Sequence, residues 1–204
     1  LCPTHLLKKS ISDYCDRFSN LFTVYRRDNS PQFRLYLSGL FHECKHNIER
    51  MDERTAESKY QQLHHFISES PWSYKPVLQS VAQDLSALFG RRAEPIGLII
   101  DESGHRKSGS KSVGVSRQYL GSIGKTDNGQ VGVFAALSQG DDAAMVDVRL
   151  YLPKEWTDDK KRCDKAGIPS EEQAFKTKPR LALDMIEDTA DILNYDWIGG
   201  DAAY

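Results

Sequence analysis

The chain has 204 residues, enough to bury a core and to form one or two domains. Its 39% hydrophobic and 27% charged content is ordinary for a globular protein and excludes a disordered one. The net charge of −2 says little by itself, because the charge is unevenly placed. The longest apolar run is far too short to span a membrane, and no secretory signal precedes the first helix. Four cysteines (Cys2, Cys15, Cys44 and Cys163) lie far apart without a C-x-x-C pair, as expected of reduced thiols in a cytoplasmic protein.

Residues 1 to about 90 read as helical. Leu21, Phe22, Val24 and Tyr25 form one apolar group near helical spacing, and Phe33, Leu35, Tyr36, Leu40 and Phe41 a second, with Pro31 placed to open its helix. A polar stretch from Asn47 to Lys59 holds few large apolar side chains. Tyr60, Leu63, Phe66 and Ile67 form a short stripe, and Ser70-Pro71-Trp72-Ser73 breaks it. The best-patterned helix follows, with Pro76 in its first turn, Val77, Leu78, Val81, Leu85, Leu88 and Phe89 on one face, and Gly90 at its end. This pattern suits any small helical domain before it suits a helical DNA-binding domain in particular. His42 and His46 share a helix face but Cys44 does not, so a zinc site is not expected there.

Gly97-Leu98-Ile99-Ile100-Asp101-Glu102 reads as a buried strand ending in a carboxylate. Burying such a group is unfavourable unless a cation or a set of donors meets it. From Ser103 to Asn128 the chain is rich in Gly, Ser and basic residues and reads as an irregular excursion. Its cations, Arg106, Lys107, Lys111, Arg117 and Lys125, suit a polyanion-binding site or a merely solvated loop. Gly104 to Ser112 nearly spells a phosphate-binding P-loop. It fails because Ser110 separates Gly109 from Lys111 and Val113-Gly114-Val115 is a poor helix start.

Gln130–Ser138 and Met145–Leu152 read as an antiparallel hairpin about Gln139-Gly140-Asp141-Asp142, the second strand alternating Val146, Val148 and Leu150 with Asp147 and Arg149. Trp156 to Lys178 is a polar connection, with Ser170 and Gln173 spaced as a capping box. A helix runs from Pro179 to Leu193, and Trp197-Ile198-Gly199-Gly200-Asp201 is a second strand ending in Asp. In an RNase H-like fold the two Asp-bearing strands lie adjacent and parallel, joined through that hairpin and helix. Asp101 and Asp201 would then come together and hold divalent cations that neither binds alone.

The chain resembles the DDE transposases of bacterial insertion sequences, the DDE superfamily endonucleases. The resemblance is carried by Ile99-Ile100-Asp101-Glu102-Ser103-Gly104, the run from Ser112 to Tyr119, the run from Gly124 to Val133, Arg149 to Trp156, Gly167-Ile168-Pro169 and Gly200-Asp201-Ala202-Ala203-Tyr204. His65 to Trp72 extends it into the helical region. The expected architecture is a helical DNA-binding domain over residues 1–92 and an incomplete, mixed-sheet α/β RNase H-like domain over 93–204.

The resemblance implies a phosphoryl transferase that cuts DNA at the ends of a mobile element and joins them to a target. Asp101 and Asp201 match the first two catalytic acids and would hold Mg²⁺ or Mn²⁺; the five cations would contact DNA. The parent is expected to be a homodimer, cytoplasmic and nucleoid-associated. The third acid, a Glu on a later helix, is expected beyond Tyr204, and Glu102 cannot replace it because neighbouring strand residues face opposite ways. The chain is therefore read as a fragment, inactive alone. A non-catalytic DNA-binding remnant that represses transposition, or a nuclease without joining activity, are the alternatives.

Overall fold

A computed structural model describes residues 3–41, 47–54, 60–201 and 204. The chain divides into two compact units, Leu1–Ser80 and Val81–Tyr204. His42, Cys44 and His46 lie outside the described residues.

The first unit contains α1 (Pro3–Phe18), a small hairpin of β1 (Thr23–Val24) and β2 (Arg27–Asp28), α2 (Ser30–Leu40), α3 (Ile48–Arg54), α4 (Tyr60–Ser68) and the start of α5 (Tyr74–Phe89). Its core is aromatic. Phe22 stacks on Phe33 with ring centroids 4.1 Å apart, and Phe66 and Trp72 pack around it at 5.7 and 5.1 Å. The Trp72 indole N–H donates to the Phe66 carbonyl at 2.9 Å, which satisfies its one polar atom. Met51, on the mostly charged α3, is buried against Gly39 of α2, where a Cβ would lie 2.7 Å from its Cγ.

The expectation that Leu21, Phe22, Val24 and Tyr25 share one helical face is corrected here. A 3-10 turn covers Ser19–Phe22, and the chain then reverses through the hairpin, with Val24 opposite Arg27. Asn29 causes the reversal: its backbone N–H and its side-chain amide both donate to the Phe22 carbonyl at 3.1 Å. Phe22 turns inward and Tyr25 outward.

The second unit is a five-stranded mixed sheet with helices. Its strands are β3 (Gly97–Arg106), β4 (Ser116–Leu120), β5 (Lys125–Gln139), β6 (Asp142–Leu150) and β7 (Trp197–Gly200), in the order β4-β5-β3-β7 with β6 also on β5. β3 runs antiparallel to β5 from Gly97↔Ser138 to Arg106↔Gly129, and parallel to β7 from Gly97↔Trp197 to Ile100↔Gly200. The helices are α6 (Lys154–Thr157), α7 (Lys160–Lys165) and α8 (Lys178–Thr189). Leu98 and Ile100 of β3 and Val133, Ala135 and Leu137 of β5 face Leu181, Ala182 and Met185 of α8 in one buried cluster. Thr177 caps α8, its hydroxyl accepting from the Arg180 N–H at 3.2 Å.

Several sequence expectations change. The last turns of α5 put Ala82 and Phe89 into this second core, and the Ser86 hydroxyl accepts the Asn194 N–H at 3.1 Å. The buried seam is thus Ala82, Ser86 and Phe89, with Leu85 packed half-buried beside it, while Leu88 of the expected stripe is exposed. The stretch 103–128 is not all irregular, since β3 continues to Arg106 and β4 forms.

Between Ala135 and Ala136 the β5–β6 register slips by one residue, a bulge that buries both Val146 and Asp147 and breaks the expected alternation. The polar connection after Trp156 holds α6 and α7, anchored by the buried Trp156, whose indole N–H donates to the Val115 carbonyl at 2.9 Å. The capping box does not form; the Gln173 amide turns instead to Asp164 and the Ile168 carbonyl. α8 ends at Thr189, short of Leu193.

Candidate functional site

The parallel ladder decides where the two aspartates go. Ile96 and Asp196 are tied reciprocally just before the strands begin. Every pair thereafter is offset by the same hundred residues, so Asp101 and Asp201 each follow the last paired residues, Ile100 and Gly200. Adjacent strands lie about 4.8 Å apart, so the two backbones are neighbours. Gly97 and Gly199 keep this junction thin: a Cβ on Gly97 would lie 2.4 Å from the Trp197 ring, and one on Gly199 3.0 Å from it.

Asp101 pairs with Phe134 across the antiparallel ladder, is exposed, and accepts the Glu102 N–H at 2.7 Å. Glu102 falls on the other face by alternation. There both its oxygens lie 2.7 Å from the Lys178 ammonium at the start of α8, which also stands over the Tyr151 ring. Asp201 is exposed and lines a cavity of about 290 Å³ under α8, together with Ile100, Ile186, Ile198 and Tyr204.

The Tyr204 hydroxyl is out of solvent and faces Glu102 without closing a hydrogen bond of ordinary geometry. Burial first, then the negative charges of Glu102, Asp101 and Asp201, push its ionisation far above the usual phenol range. It stays a neutral phenol among three carboxylates. Sequence reasoning gave neither Tyr204 nor Lys178 a role at the site; the signal available was Tyr204's place at the end of the Gly200-Asp201-Ala202-Ala203-Tyr204 motif. Among the described residues no group of three His, Cys, Asp or Glu is arranged to hold a metal.

The five cations lie past Asp101, at and beyond the C-terminal end of β3. Arg106 closes that strand, Lys107 and Lys111 follow in the loop, Arg117 is on β4 and Lys125 opens β5; all are exposed. Three of them surround Asp127, which the sequence reading did not weigh although it lies two residues after Lys125. Its carboxylate is 3.3 Å from the Arg106 guanidinium and 3.9 Å from the Lys125 ammonium. The Asn128 N–H bond to it, then Arg106, Lys125 and Arg117, hold Asp127 below the ordinary carboxylate range.

The loop itself is fixed by side-chain amides. Asn128 donates to the Lys107 and Gly109 carbonyls at 2.7 Å each, and Gln130 to Val113 at 2.6 Å. Gly114, at φ 74, lets the chain pass where a Cβ would meet the Tyr151 carbonyl at 2.9 Å. No P-loop geometry is present, because β4 and not a helix follows.

The family model described as DDE superfamily endonuclease matches residues 17–204. The chain belongs to this family. Over 187 residues it is also 37% identical to a protein of Microchaete diplosiphon named "Probable transposase for insertion sequence element IS701", covering 88% of this chain. The chain spans 43% of that relative's length. No solved structure gives a match. The mixed sheet with its parallel β3–β7 pair is consistent with an RNase H-like DDE domain. Members of this superfamily use divalent metals, and no described helix is long and apolar enough to cross a membrane.

Proposed function

We propose that this chain carries the DNA-binding part and the first two catalytic acids of an insertion-sequence transposase that cleaves and joins DNA by metal-dependent phosphoryl transfer. The observation that supports this reading is the parallel β3–β7 pair, whose last paired residues, Ile100 and Gly200, are followed by Asp101 and Asp201 within a chain of this family.

The donor chemistry suits Mg²⁺ or Mn²⁺. Both groups are hard carboxylates, and both are exposed, so water can complete a coordination sphere. A bound ion of this kind supplies charge stabilisation at the phosphoryl group in transfer. The chain's own residues hold the ion and limit the charge around it. Lys178 engages Glu102, and Tyr204 remains neutral beside the acids. The third acid is supplied from outside these two strands. The five basic residues track DNA phosphates, and the parent acts as a homodimer in the bacterial cytoplasm, associated with the nucleoid.

The test is an electrophoretic shift of a duplex bearing the end of the encoding insertion sequence, with wild type and Asp101→Ala, alongside Mn²⁺ titration of both. Both proteins should shift the DNA, only wild type should bind Mn²⁺, and neither should cut. Absence of a shift overturns the reading, and cleavage by the 204-residue chain overturns its inactivity alone. A second reading is a DNA-binding protein that represses transposition without catalysis, favoured by the lack of a three-ligand group among the described residues; it requires no Mn²⁺ difference between the two proteins. A nuclease without joining activity would cut but transfer no 3′ end to target DNA.

A further inference from the structure

We propose that the β1–β2 hairpin of the first unit is a DNA-contacting wing, with Tyr25, Arg26 and Arg27 as its contact residues. The inference rests on the DNA reading above and assigns it a surface that the sequence pattern did not reveal. Val24 pairs with Arg27, so Tyr25 and Arg26 are the two central residues of the tightest hairpin turn. The first of these positions needs positive φ, normally from Gly. Here Tyr25 holds it at φ 55, the one non-glycine with positive φ among the described residues.

The Tyr25 side chain is 98% exposed, and Arg26 and Arg27 beside it are exposed too. A tyrosine held in an unfavourable turn with its ring in water gains nothing for folding. The hairpin base is the opposite case. Phe22 is buried in the aromatic core, Asn29 closes the base with two bonds to its carbonyl, and Asp28 accepts the Ser30 N–H at 2.8 Å to start α2. The Arg27 guanidinium lies 3.5 Å from His65 Nε2, and the other ring nitrogen of His65 is 3.0 Å from the Ser70 hydroxyl.

A rigid base therefore presents one aromatic face flanked by two guanidinium groups. Two adjacent guanidiniums match successive phosphates, and an exposed ring matches a sugar or a base edge. Duplex DNA offers both within the reach of a short β-ribbon.

The test is fluorescence anisotropy of a labelled 30-base-pair duplex with the full chain over a range of salt concentrations. Tyr25→Asn removes the ring while tolerating positive φ, with Tyr25→Gly as a second variant that relieves the turn altogether. Either should weaken binding roughly tenfold with an unchanged salt slope. Arg26→Ala with Arg27→Ala should reduce the slope of log K against log salt by about two.

Lys107→Ala with Lys111→Ala serves as the comparison. If that protein is weakened while the hairpin variants bind as wild type, the wing assignment is overturned and the DNA reading stands. If wild type does not bind, or if no variant changes affinity, the DNA reading falls and the wing with it.

Discussion

Ile96 and Asp196 exchange two hydrogen bonds of 2.7 Å: the Ile96 N–H donates to the Asp196 carboxylate, and the Asp196 N–H to the Ile96 carbonyl. This clasp sets the hundred-residue offset that carries Asp101 to Asp201. Asp196→Ala removes one of the two bonds and leaves the Ile96 N–H to water. It should destabilise the second unit by about 1 kcal/mol and weaken Mn²⁺ binding, with Asp196→Asn recovering part of both. Urea denaturation and Mn²⁺ titration read the two effects. An unchanged urea midpoint in the Ala variant would show that the ladder needs no clasp.

Gly97 has no room for a methyl group beneath Trp197. Gly97→Ala should destabilise the chain by about 1–3 kcal/mol, and Trp197→Ala in the same protein should restore much of the loss. Additive losses in the double variant would mean that the methyl clashes elsewhere.

Asp147 is buried at the bulge, and burial raises its ionisation above the ordinary carboxylate range although Arg149 pulls the other way. A carboxyl raised in the folded state binds more protons there than in the unfolded chain. Its ionisation therefore removes stability as pH climbs from about 4, the unfolded value, through the raised folded value. Asp147→Asn should flatten that decline. Urea midpoints measured across the acid range check it, and parallel curves for the two proteins would assign the decline to other groups.

Asp127 draws Arg106 and Lys125 to itself. Asp127→Asn should free both for phosphate, so duplex DNA should bind more tightly and with a steeper salt dependence. Lys107→Ala or Lys111→Ala should each reduce the slope by about one unit. Identical binding isotherms for all three variants would leave the loop merely solvated.

What the sequence made legible was set by strong local patterns. Leu98-Ile99-Ile100 and Trp197-Ile198 read as strands because short apolar runs ending in Gly or Asp have few other uses, and their parallel pairing followed from strand order. The Tyr25 turn was hidden because Leu21, Phe22, Val24 and Tyr25 imitate a helical stripe, while the clamp that reverses the chain is a single side chain, Asn29. α6 and α7 were missed because they are held by contacts rather than by periodicity: the Trp156 indole is fixed by the distant Val115 carbonyl, the Arg162 guanidinium lies 3.6 Å over the Trp156 ring, and the Cys163 thiol donates to the Trp156 carbonyl. The bulge that buries Asp147 likewise has no signature in composition. At the acids, the strand patterns led to Asp101 and Asp201, which follow the last paired residues of β3 and β7, but the ion pair that occupies Glu102 depended on Lys178, seventy-six residues away.

The β3–β7 pairing also sets a clock on synthesis. At about 5–20 residues per second, the ribosome delivers Asp201 roughly 5–20 s after Asp101. A nascent chain thus carries its first acid, its hairpin and its basic loop well before any two-carboxylate centre can exist. Under the function proposed above, contact with DNA becomes possible earlier in the life of each molecule than a two-acid metal centre does.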